Sequence, residues 1–137
     1  MTAHYVHRQR VRLARTDAGG VVFFVEPLVM AHEAYEALLD DIGVSARSVI
    51  EAGCGIPIVD ARVSLRAPLK VGDDVDIALA VTRLGGKSFT IQATLRRGDE
   101  VVGEATTTHV FIERGQSAPL PDALRAGLAP YVTTVSP

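Results

Sequence analysis

The stretch RTDAGGVVFFVEPLVMAHEAYEALL, residues 15–39, predicts a glycine-containing loop followed by a helix with one apolar face. Pro27 suits the first turn of that helix, where its missing N–H costs no hydrogen bond. Gly43 suits the C-terminal end of the helix. The residues between them that recur at helical spacing, and therefore share one stripe, are Leu28, Ala31, Tyr35, Leu38, Leu39 and Ile42.

Most of the remaining chain alternates apolar and polar residues, which is typical of β-strands. Residues 5–14 predict a first strand, whose inner face includes Leu13 and whose outer face carries arginines. Four more strands are predicted between residues 56 and 113, the last of them over 101–113, with turns such as Gly85-Gly86 between them. Two strands show their inner faces clearly: Val75, Ile77, Leu79 and Val81 in one, and Phe89, Ile91, Ala93 and Leu95 in the next.

One long helix and five strands predict a single α+β domain over residues 1–137, with an antiparallel five-stranded sheet wrapped around the helix. A ferredoxin-like arrangement also combines helices with such a sheet. It needs a second full helix between the later strands, and no such helix is predicted between the strands after residue 55.

Composition limits the classes of function. The chain of 137 residues is 47% hydrophobic and 22% charged, which is ordinary for one folded domain. Its net charge of -2 gives no general electrostatic reason to bind nucleic acid. Cys54 is the only cysteine, so no intramolecular disulfide is possible and a reducing compartment is favoured. With no signal-peptide pattern and no apolar run long enough for a bilayer, we expect a soluble cytoplasmic protein without a membrane partner.

Several kinds of site are absent from the sequence. Its four histidines are scattered, and one cysteine cannot build a thiolate metal site, so no metal is expected. No phosphate-binding or dinucleotide-binding glycine motif is present, and no serine lies in a nucleophile-elbow context. We therefore expect no cofactor.

Asp17 has two possible interpretations. Aspartate commonly bonds nearby backbone N–H groups, so it could simply form the turn. It could also react, because Gly20 would let the backbone approach a ligand closely and residues 21–24 would form an apolar wall. The following helix would offer unpaired N–H groups to an oxyanion. Local spacing alone leaves both interpretations open.

The motif TDAGGVVFF at residues 16–24, followed by a helix and then by GIPIVDARVSLRAPLKVGDDV, GGKSF and EATTTHVFI, resembles the hotdog-fold acyl-CoA thioesterases of the 4-hydroxybenzoyl-CoA type. The resemblance covers nearly the whole chain in the same order. Within that family the chain is most similar to the 1,4-dihydroxy-2-naphthoyl-CoA thioesterases of menaquinone and phylloquinone biosynthesis. The strings that indicate this branch are VVFF, HEAYE, IPIVDA, THV and APLP.

The resemblance implies roles for particular residues. Asp17 would be the nucleophile or the general base, and the backbone N–H of Phe24 would hold the carbonyl oxygen. Many relatives have a Tyr-His pair where this chain has Phe23-Phe24, which leaves the backbone role intact. The residues expected to contact the acyl-CoA substrate are Gly20, Val22, Phe23, Ile58, Lys87, Ser88 and Arg97.

Two of the charged residues keep an alternative interpretation. Lys87 either binds the phosphates of CoA or is a solvated turn lysine. Glu33 lies where a different hotdog branch carries its carboxylate, although an exposed helix-surface charge is favoured here.

The sequence therefore predicts an acyl-CoA thioesterase with an aromatic acyl substrate, 1,4-dihydroxy-2-naphthoyl-CoA being the leading candidate. A general fatty or short-chain acyl-CoA thioesterase and a non-catalytic acyl-binding hotdog protein are the alternatives. Because one helix cannot cover both faces of the sheet, and an open edge strand invites pairing, we expect a homodimer that pairs again into a homotetramer.

Overall fold

The long helix predicted after the glycine loop is α1, Glu26–Asp41, in the computed structural model of the chain. The structure describes residues 4–133, so the two ends of the predicted 1–137 domain lie outside the described residues. Pro27 lies in the first turn of α1, and Gly43 follows its end with a φ of +81°. The buried face of the helix consists of Pro27, Met30, Ala31, Ala34, Tyr35, Leu38 and Leu39.

Over residues 4–133, eight strands, two short α-helices and two 3-10 turns complete the fold. The short helix α2, Ala46–Glu51, begins where the Ser45 side chain accepts a hydrogen bond from the Ser48 N–H, and α3 spans Asp122–Leu128. A small sheet contains β2 (Cys54–Gly55), β7 (Ile112–Glu113) and β8 (Gln116–Ser117). The main sheet has the order β1-β4-β5-β6-β3 with every neighbouring pair antiparallel, and its strands are β1 (Tyr5–Arg10), β3 (Ile58–Leu65), β4 (Asp74–Leu84), β5 (Ser88–Arg97) and β6 (Glu100–Val110).

The core lies between α1 and one face of the main sheet. α1 packs against β1, β4, β5 and β6. The predicted inner faces of β4 and β5 are confirmed, because all eight of those residues are buried. Within residues 4–133 no helix is both long and apolar enough to cross a membrane.

Two predicted strand ends are wrong. β1 stops at Arg10, and Leu13 lies in a 3-10 turn with 72% of its surface exposed. The chain leaves the sheet there because Val11 is buried and exchanges backbone hydrogen bonds with the loop before β4. The predicted strand over 101–113 is divided at Phe111, whose N–H donates to the Lys87 carbonyl while its ring enters the core.

The edge strand β3 is exposed along its whole length. The residues of β6 opposite Ala61, Val63 and Leu65 are buried, so these three side chains lie on the helix-facing side of the sheet. Leu65 nevertheless keeps 52% of its surface exposed, and Val59 keeps 61%. β3 therefore presents both unpaired backbone groups and apolar side chains to its surroundings.

Candidate active site

The Asp17 loop is a tight turn closed by the carboxylate itself. Asp17 Oδ1 accepts hydrogen bonds from the N–H groups of Gly19 at 2.8 Å and Val21 at 3.2 Å. The Asp17 N–H donates to the Val21 carbonyl at 2.8 Å, and Gly20 takes a φ of +76°, which glycine adopts without strain. The second carboxylate oxygen accepts no hydrogen bond from any of the residues described. Asp17 thus forms the turn and also presents an oxygen to solvent.

The turn that leads into α1 supplies a hydrogen-bond donor beside this loop. The Phe23 N–H donates to the Arg15 carbonyl, and the Glu26 N–H donates to the Phe23 carbonyl. Between them, the Phe24 N–H has no hydrogen-bond partner among residues 4–133. A free N–H just before the positive end of a helix is suited to bind an oxyanion.

A largely apolar pocket of about 310 Å³ adjoins the loop and the helix start. It is lined by one of the predicted substrate contacts, Val22, and by Phe24, the predicted oxyanion donor. Gly20 lies in the same loop, and Phe23 packs its ring against Phe24 with centroids 4.8 Å apart. The residues lining the pocket are Val21, Val22, Phe24, Pro27, Leu65, Arg66, Ala67, Pro68, Leu69, Leu95, Val102 and Gly103.

A second pocket of about 160 Å³ lies between α1, α2 and β2. Tyr35 lines it, and the Tyr35 hydroxyl is buried without a hydrogen-bond partner in the described part of the chain. The neighbouring His109 is fully buried, stacks on Phe89 and shares a hydrogen bond with Thr107, while its Nδ1 also lacks a partner among the described residues. Burial, with a smaller effect of the His32 charge, lowers the pKa of His109 to about 4.

Three cations surround the Gly85-Gly86 turn. Arg83 donates to the Ser88 hydroxyl at 2.7 Å, and Arg125 donates from α3 to the Gly85 carbonyl at 2.6 Å. Lys87 is exposed in the turn itself. None of these three cations has a carboxylate within 4.0 Å over the range 4–133. Sequence reasoning predicted Lys87 and Ser88 but missed the two arginines, and it gave no signal for Arg125, which reaches the turn only because α3 docks there.

Three of the remaining predicted contacts, Ile58, Lys87 and Ser88, are not brought to the Asp17 loop within one chain. Ile58 begins β3 and lies opposite His109. Leu95 lines the pocket beside the Asp17 loop. Ser88 lies seven residues away from it on β5, which is roughly 23 Å at about 3.3 Å per residue. Arg97 lies at the pocket end and is held by Asp73 at 2.9 Å and Glu100 at 2.6 Å. Lys87 and Arg97 therefore lie at opposite ends of β5.

No group of three or more histidine, cysteine, aspartate and glutamate side chains is placed to hold a metal ion within the described range 4–133. Glu33 is half-buried and forms an ion pair with Arg15.

A family model described as the thioesterase-like superfamily matches residues 11–128. The chain belongs to this superfamily. The 1,4-dihydroxy-2-naphthoyl-CoA hydrolase of Synechococcus elongatus is 35% identical over 127 residues, which cover 90% of this chain and 93% of that protein. The predictions of a hotdog fold and of a thioesterase are confirmed.

Solved structures agree with the family. The crystal structure of a 1,4-dihydroxy-2-naphthoyl-CoA thioesterase from Synechocystis superposes with a TM-score of 0.87 at 30% identity, over 93% of this chain and 96% of that chain. A gentisyl-coenzyme A thioesterase superposes with a TM-score of 0.82 at 28% identity, over 90% and 98% of the two chains. Both of these relatives are named for hydroxylated aromatic acyl groups.

Proposed function

We propose that this thioesterase hydrolyses an aromatic acyl-CoA, with 1,4-dihydroxy-2-naphthoyl-CoA as the leading substrate. The observation that carries the proposal is the similarity, over about nine-tenths of both chains, to relatives named for that reaction. The apolar lining of the pocket beside Asp17 supports the proposal, because transfer of an aromatic ring from water to an apolar surface is favourable.

Asp17 and the Phe24 N–H are the proposed reacting pair. The carboxylate would be held by Gly19 and Val21 through one oxygen, so that the other oxygen points to the substrate. The Phe24 N–H would donate to the thioester carbonyl oxygen as that oxygen gains negative charge. Because hydrogen bonds of Phe23 and Glu26 fix the turn on both sides of Phe24, this N–H is preorganised and needs no rearrangement during the reaction.

Two routes use this pair. Asp17 attacks the thioester carbon, the C–S bond breaks, CoA leaves as a thiolate that takes a proton, and water hydrolyses the resulting anhydride. In the other route Asp17 takes a proton from water, the water oxygen attacks the same carbon, and the acid and CoA separate after that proton is returned to sulfur. Both routes yield the free acid and CoA.

The Gly85-Gly86 turn is the proposed site for the phosphates of CoA. Arg83, Lys87 and Arg125 supply positive charge that the described residues do not neutralise, and the Ser88 hydroxyl can hydrogen-bond a phosphate oxygen. Arg97 is a weaker contact in this proposal, since a phosphate would compete there with Asp73 and Glu100.

A dimer formed through β3 would bring the Asp17 loop of one copy close to the proposed phosphate site of the other. If β3 pairs with β3 of a second copy about a two-fold axis, the two strands run antiparallel. The Leu65 end of β3 in one copy then lies beside the Ile58 end of β3 in the other. Ile58 and Phe89 are both paired with His109, so the turn that holds Lys87 lies at the Ile58 end. We therefore propose a homodimer with composite sites, able to pair again into a tetramer. Light scattering at micromolar concentration should give at least twice the 14.6 kDa chain mass, and a stable monomer would contradict the proposal.

A hydrolysis screen tests the substrate proposal. Release of free CoA would be measured with naphthoyl, hydroxybenzoyl, short-chain and long-chain acyl-CoAs at equal concentrations. Aromatic substrates should show the highest kcat/KM. Preference for aliphatic substrates would instead indicate a general acyl-CoA thioesterase, and binding without release of CoA would indicate a non-catalytic acyl-binding protein.

A further inference from the structure

Arg15 connects the Asp17 loop to the first two turns of α1. Its Nη1 donates to Glu26 at 2.8 Å, and its Nη2 donates to both carboxylate oxygens of Glu33, one of them at 2.6 Å. Only 20% of the Arg15 side chain is exposed, against 88% for Arg47, which forms an ordinary surface pair on α2. The guanidinium therefore lies largely buried between two helix carboxylates.

The backbone of Arg15 makes a second connection. Its carbonyl accepts the Phe23 N–H at 3.0 Å, and the next residue, Thr16, is bridged to Val22. Asp17 therefore lies two residues after Arg15, and Phe24 directly follows Phe23, whose N–H is bound by the Arg15 carbonyl. A displacement of this residue would move the carboxylate and the oxyanion donor relative to each other.

The geometry of these contacts suits arginine. A planar guanidinium can donate to two carboxylates at once in fixed directions, whereas an ammonium group is a point charge with no such geometry. Arg15 also binds Glu33, which lies where a different hotdog branch carries its carboxylate. Glu33 is held on the helix while Asp17 keeps one oxygen free of hydrogen bonds from residues 4–133.

We propose that Arg15 is a positioning residue, which holds the Asp17 carboxylate and the Phe24 N–H in register for the reaction. The proposal rests on the proposed function, in which Asp17 reacts. It predicts that Arg15 affects the chemical step rather than the binding of CoA, because a displacement of about 1 Å can cost about a hundredfold in rate.

A double-mutant cycle tests this role. Arg15→Gln should lower kcat about tenfold to a hundredfold and leave KM within about threefold. Arg15→Lys should fall between Arg15→Gln and the unmodified chain, because it keeps the charge without the fork. Arg47→Gln removes an exposed ion pair of the same type and should leave kcat unchanged. In an Asp17→Asn background, Arg15→Gln should have no further effect on the residual rate.

The outcomes separate the two proposals. If Asp17→Asn keeps near-normal turnover, the proposed function fails at Asp17. If Asp17→Asn is inactive but Arg15→Gln changes only KM, or only the melting temperature, Arg15 does not position the reacting groups. Equal losses from Arg15→Gln in both backgrounds also overturn the inference. If Arg15→Gln does not fold, the same cycle with Arg15→Lys decides the question by the same criteria.

Discussion

The two ends of the main sheet differ in how their charges are arranged. At the Asp17 end, Arg15 and Arg97 are each held between two carboxylates. At the Gly85-Gly86 end, Arg83, Lys87 and Arg125 have no carboxylate within 4.0 Å among the residues described. Two arginines of the first end are therefore paired within the chain, whereas these three cations of the second end are not paired with a carboxylate among the described residues.

This difference agrees with the separate roles proposed for the two ends, reaction at one and phosphate binding at the other. Arginines that are paired with carboxylates can fix the positions of the loops around them, whereas unpaired cations attract an anion. An acyl-CoA has a neutral thioester and a highly charged phosphate portion, so it matches both ends. Within one chain the two ends lie at opposite ends of β5. A second copy that pairs through the exposed strand β3 would bring the Asp17 end of one chain to the cationic end of the other.

The largest expected effect on activity is at the Asp17 end. Asp17→Asn should lower kcat by about 10² to 10⁴, because a missing catalytic group typically costs that factor. The fold should persist, since the Asn side-chain oxygen can still accept the two backbone hydrogen bonds of the turn. Steady-state kinetics with a circular-dichroism melting curve measures both quantities. Near-normal turnover would remove Asp17 from the site.

A smaller effect is expected at the cationic end. Lys87→Ala should raise KM for an acyl-CoA about threefold to tenfold and leave kcat nearly unchanged, because an exposed charge contributes modest binding energy. The wild-type KM should also rise with salt. The control is the same acyl group on a short thiol without phosphates, for which Lys87→Ala should make little difference. Equal impairment with both substrates would make Lys87 a structural residue.

A separate prediction concerns stability rather than activity, and it depends on His109, which is buried near the Ser88 end of the main sheet. Its pKa is about 4 in the folded chain, against about 6.5 when unfolded, because burial disfavours the charged form. The unfolded chain therefore binds more protons over this range, and stability is lost as the pH falls from 6.5 to about 4. The full loss from this group is about 3 kcal/mol.

His109→Gln removes this titration and serves as the comparison. Urea unfolding of both proteins at pH 7.5, 5.5 and 4 should show that the variant loses less stability with falling pH. The groups around His109 are Tyr35 and His32 on α1 and Thr107 on β6, so His32→Gln controls for the nearby histidine. Identical pH dependence in the wild type and His109→Gln would show that His109 is not the group responsible.

The sequence predicted the parts of the fold that depend on local periodicity. The inner faces of β4 and β5 follow from simple alternation, and α1 follows from its stripe and from Pro27 and Gly43. Alternation does not show where a partner strand ends, so the first and last long strands were predicted too long. The buried position of His109 could have been found, because it continues the inward series of Ala105 and Thr107.

The candidate site was predictable only where it is local. Asp17, Gly20 and Phe24 lie in one short stretch with a recognisable motif. The proposed phosphate site depends on Arg83 and Arg125, which are far apart in the chain and meet only through the docking of α3. The ion pairs of Arg15 likewise depend on how a loop packs against a helix, which spacing does not reveal.

The most direct test of the account is whether the two ends cooperate across a dimer. Asp17→Asn and the double variant Lys87→Ala/Arg125→Ala would be co-expressed with different tags, and the heterodimer would be isolated and assayed below KM. If each site combines one end from each subunit, the heterodimer has one doubly defective site and one intact site. It should then recover about half of the wild-type activity, far above either parent. Activity no higher than the mean of the two parents would show that both ends act within one chain, and would contradict the account.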